Sequence, residues 1–184
     1  METWVVINDI QIPYEDKRVL ALVCGFISDL KPGGVILNGD IVDCYAISDF
    51  VPNPRGPRSI MPEVRGAGKL MGAIAPHTSN RIWIGGNHED RLRRYEWKRI
   101  PQLADHPDLT FEGLFKLDQY EFKYLPYGAV YNLGKLMVTH GSLVSKHSAI
   151  SAKNHFDKYG TSVLVGHTHR LGVYYKRNVR GIHG

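Results

Sequence analysis

The chain has 184 residues, 43% hydrophobic and 22% charged, which suits one soluble globular domain with a substantial core. No apolar run approaches the roughly 20 residues of a membrane-spanning helix, the N-terminus lacks a basic leader segment, and two cysteines, Cys24 and Cys44, supply neither a disulfide framework nor a metal knuckle. The net charge of +5 and pI near 9.2 suit a polyanionic partner or substrate, a weak signal alone, and the expected compartment is the cytoplasm.

Trp4-Val5-Val6-Ile7 reads as a buried strand that turns polar at Asn8-Asp9-Ile10-Gln11 and has ended by Pro13. Residues 16–30 have apolar positions at helical spacing, with Asp16 as N-cap, and Lys31-Pro32-Gly33-Gly34 stops the helix. Val35-Ile36-Leu37 is a second strand, ending in Asn38-Gly39-Asp40-Ile41-Val42-Asp43. A strand-helix-strand unit of this length predicts a parallel pair. Taken alone, Asp40 and Asp43 could be an acid/base pair, two metal ligands or helix-capping carboxylates.

Residues 51–62, with four prolines, read as an irregular surface loop exposing Arg55 and Arg58. A helix is expected over 63–77, despite three glycines, then a strand at Arg81-Ile82-Trp83-Ile84 ending in Gly85-Gly86-Asn87-His88-Glu89. Asp90 to Leu103 reads as a basic helix interrupted by Pro101, followed by a helix around 107–117. Residues 120–125, 129–133 and 136–139 look like adjacent antiparallel strands of a second sheet, the last ending in His140-Gly141. A helix over 145–159, a strand at 161–165 ending in Gly166-His167-Thr168-His169, and a strand at 172–176 complete the chain.

Five apolar runs thus turn abruptly polar at Asp, Asn, Gln or His. In open α/β sheets ligands bind at the carboxyl ends of strands, so these residues can converge on one crevice. Each alone is more commonly a turn former or a structural histidine; seven together are hard to assign to packing. Carboxylate, amide oxygen and imidazole without thiolate form a mixed O/N site for Mn, Fe, Zn or Ni. Seven ligands exceed the needs of one first-row ion and suit two ions sharing a carboxylate. Such a pair clamps a phosphoryl group and generates hydroxide from a bridging water near neutral pH. With only Asp9 and Asp40 negative, the loaded cluster stays cationic and favours a phosphate ester.

These residues resemble the calcineurin-like metallophosphoesterase superfamily, whose pattern D-x-H, G-D-x-x-D, G-N-H-[DE], a later H and G-H-x-H appears in order from Asp9 to His169. The texture around Gln11-Ile12-Pro13-Tyr14 and Glu89-Asp90-Arg91-Leu92 is similar to phage-type members, which places a phage-encoded protein in the host cytoplasm. The resemblance implies an α/β/β/α sandwich of two mixed sheets. It implies one metal held by Asp9, Gln11, Asp40 and His169, and a second held by Asp40, Asn87, His140 and His167. His88 would contact the phosphate and protonate the leaving oxygen, and Asp43 would orient His88. Gln11 stands where the pattern has His; its harder oxygen tilts that position from Zn towards Mn or Mg. The chain also ends earlier than the family pattern, which implies a compact or truncated form of one domain.

The expected activity is a divalent-metal-dependent phosphodiesterase acting on a nucleotide or nucleic acid, with Arg91 and Arg94 of the basic helix guiding phosphates. A phosphomonoesterase and a non-catalytic scaffold of the same fold are the rival readings. Mn2+ is the expected cofactor, two ions per chain, with Fe, Zn, Ni or Mg as alternatives.

Overall fold

The computed structural model describes residues 2–51, 53–104, 106–178 and 181–183. Its first sheet contains β1 (Trp4–Ile7), β2 (Gly34–Asn38), β3 (Asn80–Ile84) and β4 (Lys123–Leu125), all parallel and in that spatial order. Helix α1 (Lys17–Leu30) joins β1 to β2 as the strand-helix-strand spacing requires. The Asp16 side chain accepts from Arg18 N at 2.9 Å and Val19 N at 3.3 Å, and Lys31 ends the helix in the left-handed region.

The central strand shows why the molecule is layered. β2 is buried throughout, and its side chains alternate between two cores. Val35 and Leu37 pack with Trp83, Phe111, Phe115 and residues of α1 and α2 (Met61–Ile74). Ile36 faces the other way, with Ile82 and Ile84 of β3, towards Val138 of the second sheet. That sheet has β5 (Tyr131–Leu133) antiparallel to β6 (Leu136–Thr139) and β6 parallel to β7 (Val163–Val165). Helix α5 (Ser148–Tyr159) covers β7, giving the α/β/β/α order. β8 (Lys176–Asn178) and β9 (Gly181–His183) pair as a separate hairpin. No described helix is long and apolar enough to cross a membrane.

Several expectations change. The first sheet is wholly parallel rather than mixed. The run at 120–125 supplies β4 of that sheet and does not join the second one. Tyr124 stacks on Phe111 at 4.7 Å in the first core, and the chain reaches β4 from β3 through α3 (Asp90–Arg99) and α4 (Phe111–Phe115), a crossover that makes the pair parallel. Pro126-Tyr127-Gly128, which reads as a hairpin turn, is the passage from one sheet to the other. Residues 172–175 are not in a strand either: Val173 and Tyr175 are exposed, and pairing starts only at Lys176. The helices at 63–77, 90–103 and 107–117 end in or pass into short 3-10 turns, and the helix expected from 145 begins at Ser148.

Candidate metal centre

The loops after β1 and β2 stay zipped beyond the strands. Asp9 N donates to Gly39 O at 3.1 Å, Gln11 N to Asp40 O at 2.9 Å and Ile12 N to Ile41 O at 2.8 Å. Asp9 and Gln11 are therefore carried past the strand end in fixed register with Asp40. The path is strained: Asp9, Gln11, Asp40, His167 and His169 have φ between 51° and 71°. That left-handed region costs a non-glycine residue about 1 kcal/mol or more. Five of the seven candidate ligands share this conformation, as do Lys31, Cys44, Lys116 and Glu121 elsewhere in the chain.

All seven come together in two overlapping groups. Ligand atoms of Asp40, His140 and His167 lie within 4.8 Å of one another, as do those of Asp9, Asp40 and His169. Asp40 is common to both. The Asn87 side-chain oxygen joins the first group, 3.3 Å from His140 Nε2, and the Gln11 amide joins the second, 3.3 Å from His169 Nε2. A half-turn of that amide presents its oxygen instead of its nitrogen. Gly86 lets the Asn87 loop press on Asp40, because a Cβ there would meet Asp40 Oδ1 at 2.2 Å.

The donor set fits a divalent cation. His140 Nδ1 is 2.9 Å from the Asn38 carbonyl oxygen, which fixes the proton on Nδ1 and leaves a lone pair on Nε2. That lone pair lies 3.3 Å from Asp40 Oδ2 and 3.3 Å from Asn87 Oδ1. In the neutral ring three acceptors converge there, which a divalent cation would satisfy and which, without one, a proton shared between Nε2 and Asp40 satisfies. His167 Nδ1 is also buried without a hydrogen-bond partner among the described residues. Burial works to raise the Asp40 pKa, but the hydrogen bond and charge of His140, with His88 behind them, bring it below its ordinary value. For His140 burial works downward and Asp40 prevails upward. His167 is lowered by burial and by His140.

His88 borders this cluster, its Nε2 3.7 Å from Asp40 Oδ2 and its backbone N–H bonded to Asp40 Oδ1 at 3.0 Å. On its far side Nδ1 is 3.0 Å from Asp43 Oδ1 and 3.0 Å from the Asp43 carbonyl oxygen. Two acceptors there place the proton on Nδ1. Burial opposes charge on this ring, yet Asp43 and Asp40 together raise its pKa. Arg91 is buried rather than a free surface cation. It donates to the Asp43 carbonyl at 2.6 Å and lies 3.2 Å from His88 Nε2. Arg94 lies outside the cluster, half-exposed and paired with Asp90 at 3.4 Å.

Two residues without a role in the sequence reading hold the ligand loops. Glu89 is 1% exposed, and its carboxylate accepts from Gly86 N at 2.7 Å, Ile41 N at 2.8 Å, Asp40 N at 2.9 Å and Val42 N at 3.4 Å. One side chain thus joins the Asp40 loop to the Asn87 loop. His155 does similar work on the second sheet. Its Nε2 accepts from Ser142 N at 3.2 Å and Leu143 N at 3.4 Å while Nδ1 donates to Ser151 O at 2.9 Å, fixing the loop behind His140. Glu89 had a signal, its place directly after Asn87-His88; His155, mid-helix, had none.

Residues 3–171 match the family model described as calcineurin-like phosphoesterase. The chain is 32% identical over 179 residues to the Gene 54 protein of Mycobacterium phage D29, covering 92% of this chain and 69% of that protein. It is 29% identical over 186 residues to the Gene 54 protein of Mycobacterium phage L5, with the same coverage. With the two ligand groups sharing Asp40 and the matched span enclosing every one of them, the chain belongs to the calcineurin-like phosphoesterase family.

Proposed function

We propose that the chain is a divalent-metal-dependent phosphodiesterase acting on a nucleotide or nucleic acid. The observation that carries the reading is the pair of ligand groups hinged on Asp40, with His88 and Asp43 at their edge. Asp9, Gln11, Asp40 and His169 would hold one ion, and Asp40, Asn87, His140 and His167 the other. When bound, the two ions supply Lewis acidity to the phosphoryl oxygens and lower the pKa of water enough to furnish the nucleophile. The oxygen donor of Gln11 favours Mn2+ over Zn2+ at the first position.

The protein's own groups do the rest. Asp43 anchors Nδ1–H of His88 and keeps the ring turned so that Nε2 faces the Asp40 cluster. Protonated there, Nε2 gives its proton to the leaving oxygen as the phosphorus–oxygen bond breaks. Arg91 braces Asp43 and puts a second positive group next to Nε2, where a phosphate oxygen arrives. Arg94 and the net charge of +5 draw the polyanion in. The mycobacteriophage relatives support action in the cytoplasm of a host cell.

The test combines metal analysis with hydrolysis of a chromogenic phosphodiester in Mn2+. Wild type should retain two ions per chain, and Asp40→Ala should lose both and its rate. His88→Ala should keep its ions and lose about 10²–10⁴ in kcat. Undiminished rates in both variants would sink the reading. A panel of mono-, di- and cyclic nucleotides and single- and double-stranded DNA and RNA then identifies the substrate.

A further inference from the structure

Next to the metal centre, beyond β4, lies a cavity of about 300 Å³. Its lining includes the aromatic residues Trp97, Phe111, Tyr124 and Tyr127 and the acidic residues Glu89, Asp90, Glu96 and Glu112. The two spaces share a wall. Tyr127 stands edge-on to His140 with ring centroids 6.4 Å apart, and Glu89, which holds the Asp40 loop, also lines the cavity. Tyr127 follows the carboxyl end of β4 and Trp97 comes from α3, which starts at the Asn87 loop. The cavity is therefore on the edge of the sheet where ligands bind in such folds.

Its chemistry is unlike that of the metal centre. Trp97 is 59% exposed despite being the largest side chain of the wall, and Arg93 lies over its ring at 4.6 Å. Arg93 is already tied to Asp90 at 2.6 Å, so the lining carries more negative than positive charge and repels a second phosphate. Phe111 is stacked between Phe115 and Tyr124, so the aromatic surface left for a guest is that of Tyr127 and the face of Trp97 that Arg93 does not cover; beside Glu112 it suits a planar, uncharged group bearing N–H donors. Tyr127, its ring centroid 6.4 Å from that of His140, stands between the cavity and the candidate ligands, so a group held in the cavity joins a phosphate at the metal centre through a spacer such as a sugar.

We propose that this cavity is a base subsite, taking the nucleobase of a nucleotide whose phosphate ester lies at the metal centre. The proposal rests on the phosphodiesterase reading for its kinetic test. Two substrates with one leaving group make that test: a nucleoside 5′-(p-nitrophenyl phosphate) and methyl p-nitrophenyl phosphate, assayed in Mn2+. Wild type should prefer the nucleoside ester. Trp97→Ala and Tyr127→Ala should each cut the ratio of the two kcat/KM values about tenfold, the range of one lost base–aromatic stack. Trp97→Phe should restore most of the preference, which separates stacking from a loss of fold. An unchanged ratio in both alanine variants would overturn the subsite. If wild type hydrolyses neither ester with any metal, the phosphodiesterase reading fails by itself. The subsite is then judged by calorimetric binding of AMP: about tenfold weaker in Trp97→Ala supports it, and equal affinity, or no measurable binding to wild type, overturns it.

Discussion

On the first sheet, β2 is buried along its whole length, and Asp40 leaves it at 1% exposure with four backbone donors of its surroundings gathered on Glu89. On the second, β7 is three half-buried residues, and the His169 side chain at its exit is 52% exposed. Both edges carry candidate ligands, but they are held differently. The first is fixed by its own core; the second takes its position partly from the first. Asn38 Nδ2 donates to Thr139 O at 3.0 Å, and His140 Nδ1 bonds back to the Asn38 carbonyl at 2.9 Å. One buried asparagine aligns the two sheets at the point where their ligands meet. Asp40, the carboxylate proposed to serve both ions, thus lies on the stiffer sheet.

The most severe way to break this contrast is Glu89→Ala. Each buried N–H left without its acceptor costs about 1–3 kcal/mol, so removing the shared carboxylate should cost roughly 3 kcal/mol or more in urea-midpoint stability. It should also empty both metal positions, because the Asp40 and Asn87 loops come apart together. A loss below about 1 kcal/mol with two ions retained would show that the strand ends hold themselves.

The candidate ligands were legible in the sequence where their supports were not, and the reason is physical. An apolar strand that turns polar at its end is a local signal, visible in Val35–Asp40 or Val163–His169 without knowing any partner. Glu89 acts across 49 residues to reach Asp40 N, and His155 acts on Ser142 and Leu143 from the buried side of a helix. Neither bond has a sequence pattern. The sheet assignment of residues 123–125 failed for a related reason: a three-residue strand next to a Pro-Tyr-Gly turn satisfies a hairpin as well as a crossing, and only the stacking of Tyr124 on Phe111 decides. The left-handed conformation of five ligands was also hidden, since Asp, Gln and His give no warning of it as glycine would.

The stiff half also holds a buried group that titrates. Glu63, on α2, accepts from Cys44 N at 2.5 Å immediately after Asp43, and burial pushes its pKa up to about 7. The folded protein therefore binds this proton more tightly than the unfolded chain does. The stabilisation is full below the unfolded value near 4.5, fades as pH rises, and is gone above about 7. Glu63→Gln keeps the acceptor and does not titrate. Relative to wild type, with chelator present, it should gain little at pH 5 and about 2 kcal/mol at pH 8. Urea midpoints at the two pH values read this directly; a pH-independent difference would mean that Glu63 stays ionised.

The mildest perturbation is on the softer half. His155→Leu preserves bulk but withdraws the acceptor from Ser142 N and Leu143 N, which should cost about 1–2 kcal/mol. Burial holds the pKa of His155 below its usual 6.5, so the wild-type ring stays neutral where the unfolded chain takes up a proton. Its contribution is present above pH 6.5 and lost as pH falls through the folded value, opposite in sign to Glu63. The variant should accordingly show a flatter acid limb in its stability profile. Because only the loop behind His140 is freed, metal analysis should find the ion of Asp9, Gln11, Asp40 and His169 retained and the other weakened. Loss of both ions from His155→Leu would mean that the second sheet, and not Glu89 alone, holds the bridging carboxylate in place.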